Sequence, residues 1–175
     1  MTRFPDNQVT EHVPALLRYA RSLLRDDSAA EDLVHDALVL AYTHADQYRP
    51  ERSLRTWLFS ILHNRFVSDV RQRGVRDRHL AAMAALPAET PPSEQETRLR
   101  LSEVERSLLE LSDDQRAALH LVVCEGLSYQ EAASALSIPI GTLISRISRA
   151  RTRLRELDER EIGAPATPQL RIVKD

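Results

Sequence analysis

Among the serines followed three residues later by Glu or Gln, four stand at the head of a segment with helical apolar spacing: Ser28-Ala-Ala-Glu31, Ser93-Glu-Gln-Glu96, Ser112-Asp-Asp-Gln115 and Ser128-Tyr-Gln-Glu131. Each such pair can satisfy two of the backbone N–H groups that a helix leaves orphaned in its first turn, so each predicts a helix start. The segments that follow carry apolar residues at helical spacing. Adding the periodic runs at about 8 to 25, 53 to 74 and 140 to 157 predicts seven helices. Four glycines and 5% aromatics, against abundant Ala, Leu, Arg and Glu, suit helices far better than sheets. The expected fold class is all-α.

The periodicity fails between Val75 and Pro92, where polar residues give way to an alanine run and then to Leu-Pro-Ala-Glu-Thr-Pro-Pro. Prolines 87, 91 and 92 lack an N–H and bias their predecessors away from helix, so this segment reads as a linker. The 175 residues suit one domain or two small ones. The organisation expected is a three-helix domain over 8–75, a linker over 76–92, a four-helix domain over 93–158 and a mobile tail over 159–175. Cys124 is the only cysteine, which excludes an internal disulfide or a CxxC metal knuckle. It is expected to be a buried apolar filler.

The formal net charge of -2 hides a segregation. Residues 26–46 carry six acids and no Lys or Arg, and 53–78 carry six arginines against two acids. Residues 89–115 carry eight acids against three arginines, and 141–156 carry five arginines against one acid. Alternating blocks of this kind are ordinarily solvated helix faces. Here they also allow a closed form in which acidic blocks pair with basic ones.

The last basic block shows what its arginines are for. With Thr142 at zero and about 100° per residue, Ile140, Leu143, Ile147, Ala150 and Leu154 share an arc of roughly 80° to 160°. That is a packing stripe. Thr142, Ser145, Arg146, Arg149 and Arg153 share another arc, from about 300° to 40°. Upstream lie a short helix capped by Ser128, carrying the small residues Ala132, Ala133 and Ala135, and the turn Leu136-Ser137-Ile138-Pro139. A short helix, a tight turn and a polar-faced second helix is the helix-turn-helix plan, whose second helix enters the DNA major groove. Arginine suits that surface because its fork matches guanine edges and phosphates.

The first half discriminates among helix-turn-helix proteins. Its acidic helix, SAAEDLVHDALVLAYTHADQY, precedes ERSLRTWLFSILHNRFVSDVRQRG, in which Leu54, Trp57, Leu58, Ile61 and Leu62 have core spacing. In these stretches, and in LSDDQRAALHLVVCEGLSYQEAASALSIPIGTLISRISRARTRLRE, the chain resembles the extracytoplasmic-function (group IV) sigma factors of bacterial RNA polymerase over about residues 10 to 156. The resemblance implies a bacterial alternative sigma factor that binds core RNA polymerase and promoter DNA, working in a stress or environmental response. It also implies control by an anti-sigma factor. On the polymerase, the contacts implied are the clamp helices of the largest subunit and the flap. Asp32, His35 and Asp36 take the positions that meet the clamp helices, with His35 where Gln is commoner.

For the single-stranded minus-10 element, the resemblance implies a loop with Tyr48, Arg52 and Ser53 and a helix face with Asn64, Arg65, Arg71 and Arg73. Tyr48 is expected to be an exposed stacking platform, and Trp57 to be core. For the duplex minus-35 element it implies Thr142, Ser145, Arg146, Arg149 and Arg153. Ile144 stands where many relatives carry Lys. The spacing within Tyr48 to Asn64 is similar to that of the general-stress subgroup.

The histidines form no HExxH pair and there is no GxSxG elbow or phosphate-cradling glycine loop, so no enzyme, metal or cofactor is expected. No apolar run approaches the roughly 20 residues that span a bilayer, and the N-terminus carries no signal pattern, which predicts a cytoplasmic protein without membrane insertion. Two alternatives remain open at the level of sequence. One is a helix-turn-helix regulator that does not bind polymerase, and the other is a sigma mimic that titrates an anti-sigma factor.

Overall fold

The computed structural model describes the backbone at residues 6–24, 26–51, 53–81, 108 and 110–163, and side chains at 8–24, 26–51, 53–72, 108 and 110–157. All regular structure among them is helical. In the first half, α1 (Asp6–Leu23) and α3 (Leu54–Ala81) pack on α2 (Asp27–Thr43), and a 3-10 turn at Ala45–Gln47 follows α2. In the second half, α4 (Asp113–Leu119) and α5 (Tyr129–Ala135) pack with α6 (Ile140–Gly163), and a π-helical turn (His120–Cys124) lies against α4 and α5.

The expected boxes at Ser112 and Ser128 both form, with reciprocal side-chain and backbone bonds. The one at Ser28 does not. Asp26 caps α2 instead, its Oδ1 accepting from the Ala29 N–H at 2.7 Å, and the helix begins at Asp27. A carboxylate gains more than a hydroxyl at the positive end of a helix, so the earlier cap prevails. The helix predicted from Ser93 lies outside the described residues, as does the remainder of the predicted linker after Ala81. The helix α6 continues to Gly163, past the predicted end near 157.

The two halves are pressed together. One apolar cluster runs from Leu16, Tyr19, Leu33, Leu58, Phe59 and Leu62 of the first half into Leu111, Leu121, Leu143 and Ile147 of the second. Across the boundary, α1 meets α4 and α3 meets α5. The small buried residues Ala132, Ala133 and Ala135 allow α5 this close approach, with α3 on one side and α6 on the other.

The turn between α5 and α6 is a Schellman motif. The Ile138 N–H bonds the Ala133 carbonyl at 3.0 Å and the Ser137 N–H bonds the Ser134 carbonyl at 3.1 Å. Ser137 pays for it with a φ of 54°, the only positive φ at a non-glycine residue among those described. A side chain in this left-handed region costs about 1–2 kcal/mol, against about 0.5–1 kcal/mol of extra chain entropy for glycine. Ser137→Gly is therefore expected to stabilise the protein by about 0.5–1 kcal/mol in urea unfolding; a lower midpoint would mean that the serine hydroxyl outweighs the strain.

The π-helical turn changes what the sequence predicts for Cys124. The wider turn adds a residue to the helical register, after which Cys124 faces solvent and Glu125 turns inward. Gly126, at φ 66°, completes the reversal. Cys124 is thus an exposed thiol and not a core filler. Burial of part of the group and the neighbouring Glu125 carboxylate push its pKa above the usual thiol value.

Candidate nucleic-acid interface

The packing stripe of α6 forms as its angles require for Leu143, Ile147 and Ala150, which are buried, and for Leu154, which is partly so. Ile140 departs from the expectation. It opens the helix beyond the reach of its neighbours and is 43% exposed.

The polar arc divides. Arg146 lies on the flank against α4, where its guanidinium donates to Asp114 Oδ2 at 2.7 Å. Arg153, about two turns further along the helix, pairs with Glu110 at 3.5 Å and Glu156 at 3.4 Å. Ser145 Oγ donates to the Thr142 carbonyl at 2.9 Å, and both residues are half-buried. Arg149 is exposed. The acid that holds Arg146 is explained locally: Asp114, with Asp113, occupies the first turn of α4, where negative charge is favoured.

The solvent arc of α6 is centred elsewhere, at about 180° to 340° on the same wheel. It carries Ile144, Ser148, Arg149, Arg151, Thr152 and Arg155, all exposed. Tyr129 from the start of α5 joins Ile144, Arg151 and Arg155 around a shallow groove. Arg151 and Arg155, which the angular reading leaves outside the polar arc, and Ser148 and Thr152 face solvent here, because angular position alone does not say which flank α4 covers.

In the first half, α3 presents Asn64 and Arg71 to solvent. The Arg73 side chain and all of Arg52 lie outside the described residues. Ser53 caps α3, its Oγ accepting from the Thr56 N–H at 3.3 Å. Tyr48 is half-buried, contrary to the exposed platform expected, because its ring rests on Trp57 with centroids 5.3 Å apart and planes at 51°. Trp57 in turn packs against the core without being fully buried.

Arg65 joins two sets of residues that the sequence kept apart. It pairs with Asp36 and with Asp69, each at 3.1 Å. Asp32, Asp36 and Asp69 line a groove between α2 and α3 together with the buried Leu33 and Phe66 and the exposed Val70. His35 is exposed next to Asp36 in sequence and does not line the groove.

One polar cluster had no signal in residue spacing. Glu125, whose side chain has no solvent exposure, accepts from Arg18 Nε at 3.0 Å, from Arg18 Nη2 at 2.9 Å and from Arg55 Nη2 at 2.7 Å. Burial pushes its carboxyl up, but the Arg18 and Arg55 hydrogen bonds, with the charges of Arg18 and His120, outweigh that and hold it below the ordinary carboxylate value. Beside it, His120 Nε2 lies 3.4 Å from Glu125 Oε1 and the His120 ring lies 5.5 Å from that of Tyr19. Tyr19, fully buried, shares a 3.0 Å hydrogen bond with His63 Nδ1. Arg116 reaches across as well, donating to the Ser22 carbonyl at the end of α1 at 3.3 Å. Among the described residues no group of three His, Cys, Asp or Glu could hold a metal ion, and no helix is long and apolar enough to cross a membrane.

A helix-turn-helix half packed on an all-helical half with an acid-lined groove defines a two-part helical DNA-binding protein. Comparison with known proteins makes it specific: residues 8–76 match the family model for sigma-70 region 2 and residues 101–154 that for sigma-70 region 4. The chain belongs to the sigma-70 family, in its extracytoplasmic-function branch. It is 37% identical over 145 residues to the ECF RNA polymerase sigma factor EcfG of Rhodopseudomonas palustris, covering 83% of this chain and 80% of that one. Its structure resembles the sigma factor RpoE solved with the anti-sigma factor NepR from Bartonella quintana, with a TM-score of 0.72 and 37% identity over 88% of this chain and 96% of that one. It also resembles CnrH solved with the cytosolic domain of CnrY, with a TM-score of 0.66 and 28% identity over 89% and 88% of the two chains.

Proposed function

We propose that this chain is an alternative sigma factor that binds core RNA polymerase, directs transcription initiation at its own promoters and is held in check by an anti-sigma factor. The observation that carries this reading is the pairing of region 2 with region 4 in one chain, together with an exposed polar arc on the second helix of a helix-turn-helix. The structure of a relative, the sigma factor RpoE, in complex with the anti-sigma factor NepR supports the control step. Recognition and strand capture are this chain's share, and the chemistry of RNA synthesis belongs to the polymerase.

The acid-lined groove with Asp32 and Asp36 suits a basic surface on the polymerase, where complementary charge speeds and orients docking. Asn64, with a donor and an acceptor, suits the edge of an unstacked base, and Arg71 suits phosphate. The proposed minus-35 set is Thr142, Ser145, Arg146, Arg149 and Arg153, extended by Ile144, Ser148, Arg151 and Arg155 on the solvent arc. Ile144 offers a methyl-bearing surface that suits a thymine methyl group.

The decisive experiment adds the purified protein to core polymerase and looks for promoter-specific transcripts from genomic fragments; none from any fragment would refute the reading. At the residue level, Arg149→Ala is expected to weaken binding to the upstream duplex element by about 1–3 kcal/mol. Arg146→Ala is expected to cost less, because that guanidinium is already committed to Asp114. Titration of labelled duplex with the two variants checks this, and a larger loss for Arg146→Ala would invert the assignment.

A further inference from the structure

Among the described residues, the charge blocks pair within each half and not across the boundary as their alternation suggests. Asp36 meets Arg65 within the first half, and Asp114 and Glu110 meet Arg146 and Arg153 within the second. Among the described residues, the carboxylate that ties the halves together is Glu125, which lies in neither acidic block. We propose that Glu125 is an interdomain latch that keeps the sigma factor closed when alone, and that its release from Arg18 and Arg55 lets both halves engage promoter DNA at once. This rests on the sigma-factor reading above.

Three observations support a latch over a merely structural ion pair. First, closure and promoter binding conflict in size. Elements centred near minus-10 and minus-35 lie about 25 base pairs apart, which at about 3.4 Å per pair is roughly 85 Å. A compact chain of this length has a radius of gyration of about 16 Å, so its closed diameter of roughly 40 Å cannot bridge them. The contacts between the halves have to break.

Second, the contact is built for direction and not for net stability. A buried carboxylate with charge-assisted bonds from two guanidinium groups sets geometry tightly, yet such pairs roughly break even against apolar replacements once desolvation is counted. Glu125 arrives there through the π-helical turn and the positive φ of Gly126, so the local backbone is shaped to deliver it.

Third, the cations are accessible where the acid is not. Side-chain exposure is 56% for Arg18 and 35% for Arg55, against 0% for Glu125. An acidic surface on a partner, or a phosphate, can therefore approach both arginines and compete for them while Glu125 is still buried. Arg55 is otherwise kept in place by the Phe59 ring, 5.6 Å from its guanidinium carbon.

The test compares the full-length protein with Glu125→Gln, and with Arg18→Gln as a second variant whose exposed position spares folding. Small-angle scattering of each free protein gives the degree of closure, and titration with core polymerase and a promoter fragment carrying both elements gives the apparent affinity. The wild type is expected to scatter as a compact particle and both variants as more extended ones. Apparent affinity rises as the binding-competent fraction rises, so a gain of about ten-fold is expected for the variants. Identical scattering profiles for wild type and Arg18→Gln would overturn the latch even if polymerase binding is normal. Extended variants that gain no affinity for the two-element fragment would overturn its role in promoter engagement. Failure of the wild type itself to bind polymerase would overturn the sigma-factor reading and leave the scattering result to judge closure.

Discussion

Phe59→Ala is expected to cost about 3–5 kcal/mol of stability, the range for truncating a fully buried aromatic. Phe59 has no solvent exposure, meets Tyr19 edge-on with centroids 5.4 Å apart, and lies beneath the Arg55 guanidinium. Removing it opens a cavity in the part of the core that both halves share, and it also removes the surface that orients Arg55 toward Glu125. Against a total of about 5–15 kcal/mol for an ordinary domain, this is a large fraction. Urea unfolding followed by circular dichroism measures it. A loss below about 1 kcal/mol would mean that the surrounding helices collapse to fill the space.

Acidification is expected to destabilise the folded protein between pH 6.5 and 4. Burial lowers the His63 pKa from 6.5 to about 4, opposed by the charge of Asp114 and assisted by that of Arg146. In this range the unfolded chain takes up a proton that the folded chain refuses, so stability falls as pH falls, by about 1.4 kcal/mol per unit and about 3 kcal/mol in all. The groups around the ring offer little relief: it faces the Tyr19 hydroxyl and ring from α1 and the Phe66 ring from its own helix. His120 is also lowered, chiefly by burial, against the pull of Glu125, and adds in the same direction. Glu125, whose pKa is depressed, contributes stability at neutral pH that is lost as pH falls below the ordinary carboxylate range. Unfolding free energies at pH 7, 5.5 and 4.5 should show this slope. His63→Asn, whose side-chain oxygen can still accept from Tyr19, should flatten it by about one proton; an unchanged slope would place the titration elsewhere.

Both effects concentrate at the boundary between the halves, where the sequence was least informative. It was most informative where the cause is local. The boxes at Ser112 and Ser128 act within four residues, and both form. The buried positions of α6 follow from helical angle alone, and Leu143, Ile147 and Ala150 are where that angle puts them. The cap at Ser28 went the other way because Asp26, two residues earlier, offered the helix a charged acceptor.

The sites were legible as residue types and only partly as surfaces. Asn64, Arg71 and Arg149 are exposed as a DNA-facing role requires. Arg65, Arg146 and Arg153 are held by acids, because neighbouring helices bring Asp36, Asp114 and Glu110 beside them. Tyr48 turned onto Trp57, since an aromatic ring beside an incompletely covered indole gains more from contact than from water.

What the amino-acid sequence determined by itself is the all-helical fold, the helix-turn-helix and the order of the two sigma regions, since these rest on capping, periodicity and residue types in short stretches. Only the tertiary structure decided which flank of α6 is covered, that Cys124 faces out while Glu125 faces in, and that the halves close on a buried carboxylate. Those outcomes depend on an extra residue in one helical turn and on arginines 70 and 107 positions away from Glu125, and no local pattern encodes a contact at that distance.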